Sequence, residues 1–157
     1  MSGSEPEIQD DMILRKQNLD KIKPSDKLIV PLVGAFDLPE RVLQFGTGVL
    51  LRGLPDYFID KANKQGIFSG RVVIVKSTQR GGTDDFKNQD SLYTIAIRGI
   101  EDGRKIEENL ICSAVSRVLT AQTEWMAILD VAASKELEIV ISNTTETGIV
   151  FTQDDIS

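Results

Sequence analysis

The sequence predicts an α/β fold, a parallel sheet with helices on both faces and an inserted antiparallel hairpin. Three observations carry this. Arg41-Val42-Leu43-Gln44-Phe45 reads as a short strand, and Arg71-Val72-Val73-Ile74-Val75 is a continuous apolar run rich in β-branched residues, as in a parallel strand covered on both faces. Between them lie a glycine turn and a helical stretch, spanning roughly the thirty-odd residues that a βαβ crossover needs. A third run, Glu138-Ile139-Val140-Ile141-Ser142, repeats the pattern after a second helical stretch.

Each element follows from local spacing. Residues 1–27 are polar, with weak periodicity and Pro24-Ser25-Asp26 near the end, and read as an N-terminal arm. Such an arm is either mobile or packed on something else, ahead of one domain at 28–157. After the first strand, Leu50, Leu54, Tyr57 and Phe58 fall on one helical stripe and predict the face turned to the core. Pro55 interrupts the stripe. Because apolar positions continue on both sides of it, a helix that begins near Gly48 and kinks is favoured over a loop to Leu54. Residues 76–90 are polar and contain Gly81-Gly82, leaving room for a short helix only. Ser91–Gly99 and Lys105–Val115 are strand-like, and Asp102-Gly103 between them is a hairpin signal. Helical spacing returns over 121–134, where Trp125, Ile128, Leu129 and Ala132 form a core-directed stripe with Thr120 or Thr123 as N-cap.

Bulk properties prune the functions open to such a fold. There is no histidine, which removes His-assisted hydrolysis and His-containing metal sites. Cys112 is the single cysteine and reads as a buried core thiol, so thiolate zinc sites and disulfides within one chain are excluded; no metal is expected. The net charge of −6 repels phosphate backbones and argues against nucleic-acid partners. No apolar run approaches a membrane span and no secretory leader is readable, so a cytoplasmic location without membrane contact is expected.

In an open parallel sheet, ligands bind beyond the carboxyl ends of the strands, where the winding direction changes. Three strand exits converge there. The first, Gly46-Thr47-Gly48, lets a backbone pass close to a pyrophosphate and presents helix amides to it. The third glycine of the dinucleotide fingerprint would fall at Leu51, so a plain structural turn is the alternative. Arg52 follows in the first helical turns, to reach phosphate or substrate, or to stand in solvent. The second exit, Lys76-Ser77-Thr78-Gln79-Arg80, carries no acid for an adenosine ribose and leaves NAD against NADP open. The third, Asn143-Thr144-Thr145-Glu146, offers amide, hydroxyl and carboxylate groups at the nicotinamide end, or simple turn chemistry.

Taken in order, four motifs resemble the long-chain mannitol dehydrogenase family. They are Arg41 to Gly48 with Leu51-Arg52, Gln89-Asp90-Ser91-Leu92-Tyr93-Thr94, Ile97-Arg98-Gly99, and Ser142 to Ile149. The resemblance runs from about Pro39 to Ile149. It implies a Rossmann-like NAD domain followed by a larger helical substrate domain, and reversible hydride transfer between NAD(H) and a sugar acid. The nearest pattern within the family implies D-tagaturonate plus NADH giving D-altronate plus NAD, in hexuronate catabolism. Members acting on fructuronate or mannitol share these motifs. By the resemblance, Gly46, Thr47, Gly48 and Arg52 match the cofactor loop, while Asn143, Thr144, Thr145 and Glu146 lie beside the nicotinamide; Val49, Leu50 and Lys76, at the first two strand exits, are further candidate cofactor contacts. The family's proton-transferring lysine belongs to the later domain, so no catalytic residue is assigned here.

Two expectations follow. Ending at Ser157, the chain is the cofactor-binding part of a longer enzyme, inactive alone, whose uncovered apolar surface favours self-association. The alternatives of another class are a non-catalytic nucleotide-binding module and an S-adenosylmethionine-dependent methyltransferase, which also has a glycine loop after its first strand.

Overall fold

A computed structural model describes residues 13–78 and 83–144 of the chain. Its centre is a four-stranded, all-parallel sheet in the order β6-β3-β2-β7. The strands are β2 (Glu40–Phe45), β3 (Arg71–Lys76), β6 (Val115–Thr120) and β7 (Ile139–Ser142). The chain steps outward from β2 to β3 to β6, then returns to the other side of β2 to lay down β7. That reversal makes the crevice between the ends of β2 and β7 the topological switch point.

The two faces of the sheet are covered by different elements. On one, Val42, Val72 and Ile74 pack with Tyr57 and Ile59 of α2 (Pro55–Lys64) and with Leu110 and Cys112 of β5 (Arg104–Cys112). On the other, Leu43, Val73 and Val75 pack against Ile128 and Val131 of α4 (Trp125–Ala132). The alternation of the two sets along β2 and β3 is the period-2 pattern of a strand buried on both sides. The expected core thiol Cys112 is fully buried, and burial pushes it up to about 12.

The inserted hairpin is present. β4 (Tyr93–Glu101) pairs antiparallel with β5 over nine positions. Asp102 and Gly103, with φ of 50° and 75°, make the two-residue turn the sequence announced. A short β1 (Leu28–Ile29) adds to β5 in parallel.

Four expectations differ from the structure. The predicted stripe of α1 (Val49–Gly53) and α2 is mostly turned outward: of its members Tyr57 packs on the core, but Leu50, Leu54 and Phe58 are exposed, while Leu51, Asp56 and Asp60 are buried. The carboxylates go inside because each finds donors there, Asp60 from the Ser113 amide and hydroxyl and from Lys64. The kink itself is observed, with Leu54 outside the helical region between α1 and α2. Trp125 and Leu129 are likewise exposed on α4, and neither Thr120 nor Thr123 caps it; instead Glu124 accepts from the Thr120 amide. The strand expected over 105–115 stops at Cys112, and Val115 opens β6, which the sequence reading missed. β7 is parallel as expected but forms the sheet edge, with Ile139 and Val140 exposed.

The described part of the N-terminal segment lies against the domain itself. Arg15 Nε donates to the Asn88 carbonyl at 2.6 Å, the Lys16 amide donates to Asp90 at 3.0 Å, and the Asn109 amide donates to the Lys27 carbonyl at 2.8 Å. Among the described residues no helix is long and apolar enough to cross a membrane.

Candidate functional site

The register of the sheet brings the three exits to one edge. Phe45 pairs with Val75 and with Ser142, and Lys76 pairs with Thr120. Gly46, Ser77, Ala121 and Asn143, each the next residue in its chain, therefore share the carboxyl end of the sheet. Gly46 and Asn143 flank the switch point.

Gly46 holds φ of 120°, and its amide donates to the Val75 carbonyl at 2.9 Å. That bond extends the β2–β3 ladder one step before the chain turns into α1. A side chain at Gly46 would meet Leu51 Cδ1 at 3.0 Å, whereas nothing lies within 4 Å of a side chain placed at Gly48. Space thus opens beside Gly48 for a group that needs close approach to the backbone. Val49 and Leu50, the next two candidates, are exposed beside it.

Arg52 sits in the last turn of α1, ahead of the kink. Its Nε donates to the Thr47 carbonyl at 3.1 Å, folding the side chain back onto the glycine loop. Its guanidinium lies 5.4 Å from the centre of the Phe86 ring and 5.6 Å from that of Tyr93. Phe86 comes from α3 (Asp84–Asn88), the short helix expected in this stretch. Stacking of this kind fixes the guanidinium plane while leaving its edge able to donate.

Lys76 is buried at the end of β3, and its ammonium donates to the Thr78 carbonyl at 2.6 Å. It therefore clamps the loop that leaves the strand. Asn143 and Thr144 follow β7 as expected, whereas Thr145 and Glu146, like Gln79 and Arg80, lie outside the described residues.

Beneath the loop lies a polar cluster to which the sequence reading gave no role. Gln44 and Asp56 are both fully buried. Gln44 Nε2 donates to the Gly46 carbonyl at 3.3 Å and to Asp56 Oδ2 at 3.5 Å. The Tyr93 hydroxyl lies 3.1 Å from the same Oδ2 and 3.2 Å from the Arg52 carbonyl, so its one proton is shared between two acceptors. Asp56 Oδ1 and Gln44 Oε1 have no hydrogen-bond partner. Tyr93 stood inside a quoted motif, and Asp56 one turn before Asp60; those were the available signals.

Desolvation dominates this cluster. It pushes the Asp56 carboxyl up to about 6, against the hydrogen bonds from Tyr93 and Gln44 and the charge of Arg52, all of which favour ionisation. Burial, with Cys112 and Asp56 nearby, also raises the Tyr93 phenol, which stays neutral. Because the folded value of Asp56 lies above its ordinary 3.8, its contribution to stability is complete below that value and is lost as pH rises through about 6. Wild type is therefore expected to lose on the order of 3 kcal/mol from this group between acidic and neutral pH. Asp56→Asn should flatten that part of the profile and be the more stable protein at pH 7, as measured by urea denaturation across pH.

No known family profile matches the chain. Individual relatives do. Altronate oxidoreductase of Halalkalibacterium halodurans is 45% identical over 118 residues, covering 74% of this chain and 23% of that protein. The Bacillus subtilis altronate oxidoreductase is 38% identical over 117 residues, with 74% and 24% covered. The chain thus spans about a quarter of the length of these relatives. Among solved structures, Pseudomonas fluorescens mannitol 2-dehydrogenase, in a ternary complex with NAD and D-mannitol, superimposes with a TM-score of 0.70. It is 27% identical, over 84% of this chain and 26% of that one. A substrate-free D-sorbitol dehydrogenase shares the fold, with a TM-score of 0.74 at 19% identity over 92% of this chain and 29% of that one. By sequence the chain is a homologue of altronate oxidoreductases, and its fold is the Rossmann-type fold of the mannitol and sorbitol dehydrogenases.

Proposed function

We propose that the chain binds NAD(H) at the switch point between β2 and β7, as the cofactor-holding part of an oxidoreductase acting on the CH–OH group of a sugar acid. The observation that carries this reading is the open glycine loop Gly46-Thr47-Gly48 at the carboxyl end of a doubly wound sheet, with free space over Gly48. A dinucleotide fits such a cradle, since a pyrophosphate needs backbone contact that any side chain at Gly48 would obstruct. Gly46 to Leu50 would line the pyrophosphate path, and the stacked Arg52 would supply the cation. Lys76 shapes the second exit, while Asn143 and Thr144, with Thr145 and Glu146 after them, would stand at the nicotinamide end. Bound there, the cofactor supplies hydride transfer.

Similarity to altronate oxidoreductases supports D-tagaturonate plus NADH to D-altronate plus NAD as the reaction of the whole enzyme, and the NAD-bound neighbour supports NAD. Reduction of a ketone also needs an acid beside the developing alkoxide. In the described crevice Lys76 is committed to a carbonyl and Asp56 lies buried under the loop. The proton-transfer group belongs, in this reading, to a substrate domain outside residues 28–157.

Titration with NADH, NADPH and S-adenosylmethionine tests the proposal by nicotinamide fluorescence and calorimetry. Saturable NADH binding that weakens with added salt is expected, without NADH oxidation when tagaturonate is added to this chain alone. Binding of S-adenosylmethionine in place of NADH would overturn the assignment.

A further inference from the structure

One buried carboxylate oxygen is tied to the start of the cofactor loop and to the helical turn that follows it. Asp56 Oδ2 faces Gln44 Nε2, whose amide also donates to the carbonyl of Gly46, where the loop begins. The same oxygen faces the Tyr93 hydroxyl, which shares its proton with the carbonyl of Arg52, in the helical turn that follows the loop. No other group joins these two carbonyls through a single atom among the described hydrogen bonds. The three side chains come from β2, α2 and β4, elements that also meet through apolar packing on this face.

The arrangement is costly, which is why it calls for a reason beyond packing. Asp56 is fully buried and has an oxygen without a partner, and Gln44 beside it has another. An apolar residue of similar size would remove that desolvation cost. What it could not do is hold two main-chain carbonyls in fixed positions below a glycine turn that has few side-chain contacts of its own.

We propose that Asp56 is a positioning residue for the nucleotide loop, setting the distance between the Gly46 turn and Arg52 through Gln44 and Tyr93. It touches no ligand; it acts through the loop. This rests on the reading of that loop as the dinucleotide site. A carboxylate is one suitable hub, and an amide oxygen, also with two lone pairs, is another. Leucine is not.

The test compares NADH dissociation constants of the 157-residue chain as wild type, Asp56→Asn, Asp56→Leu and Tyr93→Phe, with thermal melts of each. Asp56→Asn should bind within twofold of wild type, while Tyr93→Phe and Asp56→Leu should bind at least fivefold more weakly while folded at the assay temperature. A purely structural role would move the melting temperature and leave the affinity of the folded protein unchanged. Tyr93→Phe removes only the hydroxyl and keeps the test decisive if Asp56→Leu does not fold. Wild-type affinity in folded Tyr93→Phe, or Asp56→Asn binding as weakly as Asp56→Leu, would overturn the proposal. Absence of NADH binding by wild type itself would instead overturn the reading of the site, and this proposal with it.

Discussion

Gly46→Ala should lose both stability and nucleotide affinity, whereas Gly48→Ala should lose affinity alone. The two glycines are two residues apart and do different work. At Gly46 the backbone holds φ of 120°, a conformation closed to residues with a side chain, and the Cβ would also press on Leu51 Cδ1 at 3.0 Å. Leu51 can shift; the backbone cannot without breaking the Gly46 amide bond to Val75. Strain of this kind costs about 1–3 kcal/mol. Gly48 has φ of −64° and open space around its missing side chain, so alanine there is tolerated by the fold. In the proposed complex that space belongs to the pyrophosphate, and a methyl group should weaken NADH binding by roughly tenfold, which corresponds to about 1.4 kcal/mol. Thermal melts and NADH titrations of the two variants separate these effects. Equal loss of stability in both would refute the distinction.

Arg71→Met should be strongly destabilising, by about 1–3 kcal/mol for each buried carbonyl left without a donor. Arg71 opens β3 and is almost entirely buried. Its guanidinium donates to the carbonyls of Ser113, Val115 and Phe36, and lies 5.5 Å from the centre of the Phe36 ring. Burial lowers its pKa, while Glu40 nearby supports the charge. Without it the Ser113 and Val115 carbonyls at the β5–β6 junction and the Phe36 carbonyl lose this donor, and the start of β6 loses a side-chain tie to β3 beyond the strand ladder. Lysine should rescue only in part, because a point ammonium cannot fan out to three separated acceptors as a planar guanidinium does. Urea denaturation measures both. A loss below about 1 kcal/mol for Arg71→Met, the range of ordinary surface substitutions, would show that β6 is held by other means.

The parts legible in the sequence were those in which local pattern and tertiary role coincide. β3 carries a continuous apolar run because both its faces are covered, and the Asp102-Gly103 turn follows from the left-handed conformation both residues adopt. The kink at Pro55 is equally local. The exits converged as expected because a parallel register places all carboxyl ends on one edge. What could not be read was the direction in which helices face. Periodicity gives the angle between Leu50, Leu54 and Phe58, not whether that face meets the sheet. The buried face instead carries Asp56 and Asp60, which accept hydrogen bonds from partners 37 and 53 residues away in sequence, Tyr93 and Ser113. β6 was hidden for a related reason: Ser116 and Arg117 break its apolar run, and Glu40 of β2 accepts hydrogen bonds from both. Lys76, read as a choice between solvent and ligand, proved to be buried and tied to a main-chain carbonyl.

β7 gives the sheet a direction of growth. Its inner side is locked to β2 at four positions, and no strand pairs with its outer side among the described residues. The crevice at the switch point depends on the β2–β7 pairing, not on anything beyond β7. A strand added at that edge would widen the sheet and cover Ile139 and Val140 without disturbing the register that sets Gly46 beside Asn143. The nucleotide end of such a molecule and whatever is built outward from β7 can therefore vary independently, one shaped by loops and the other by accretion.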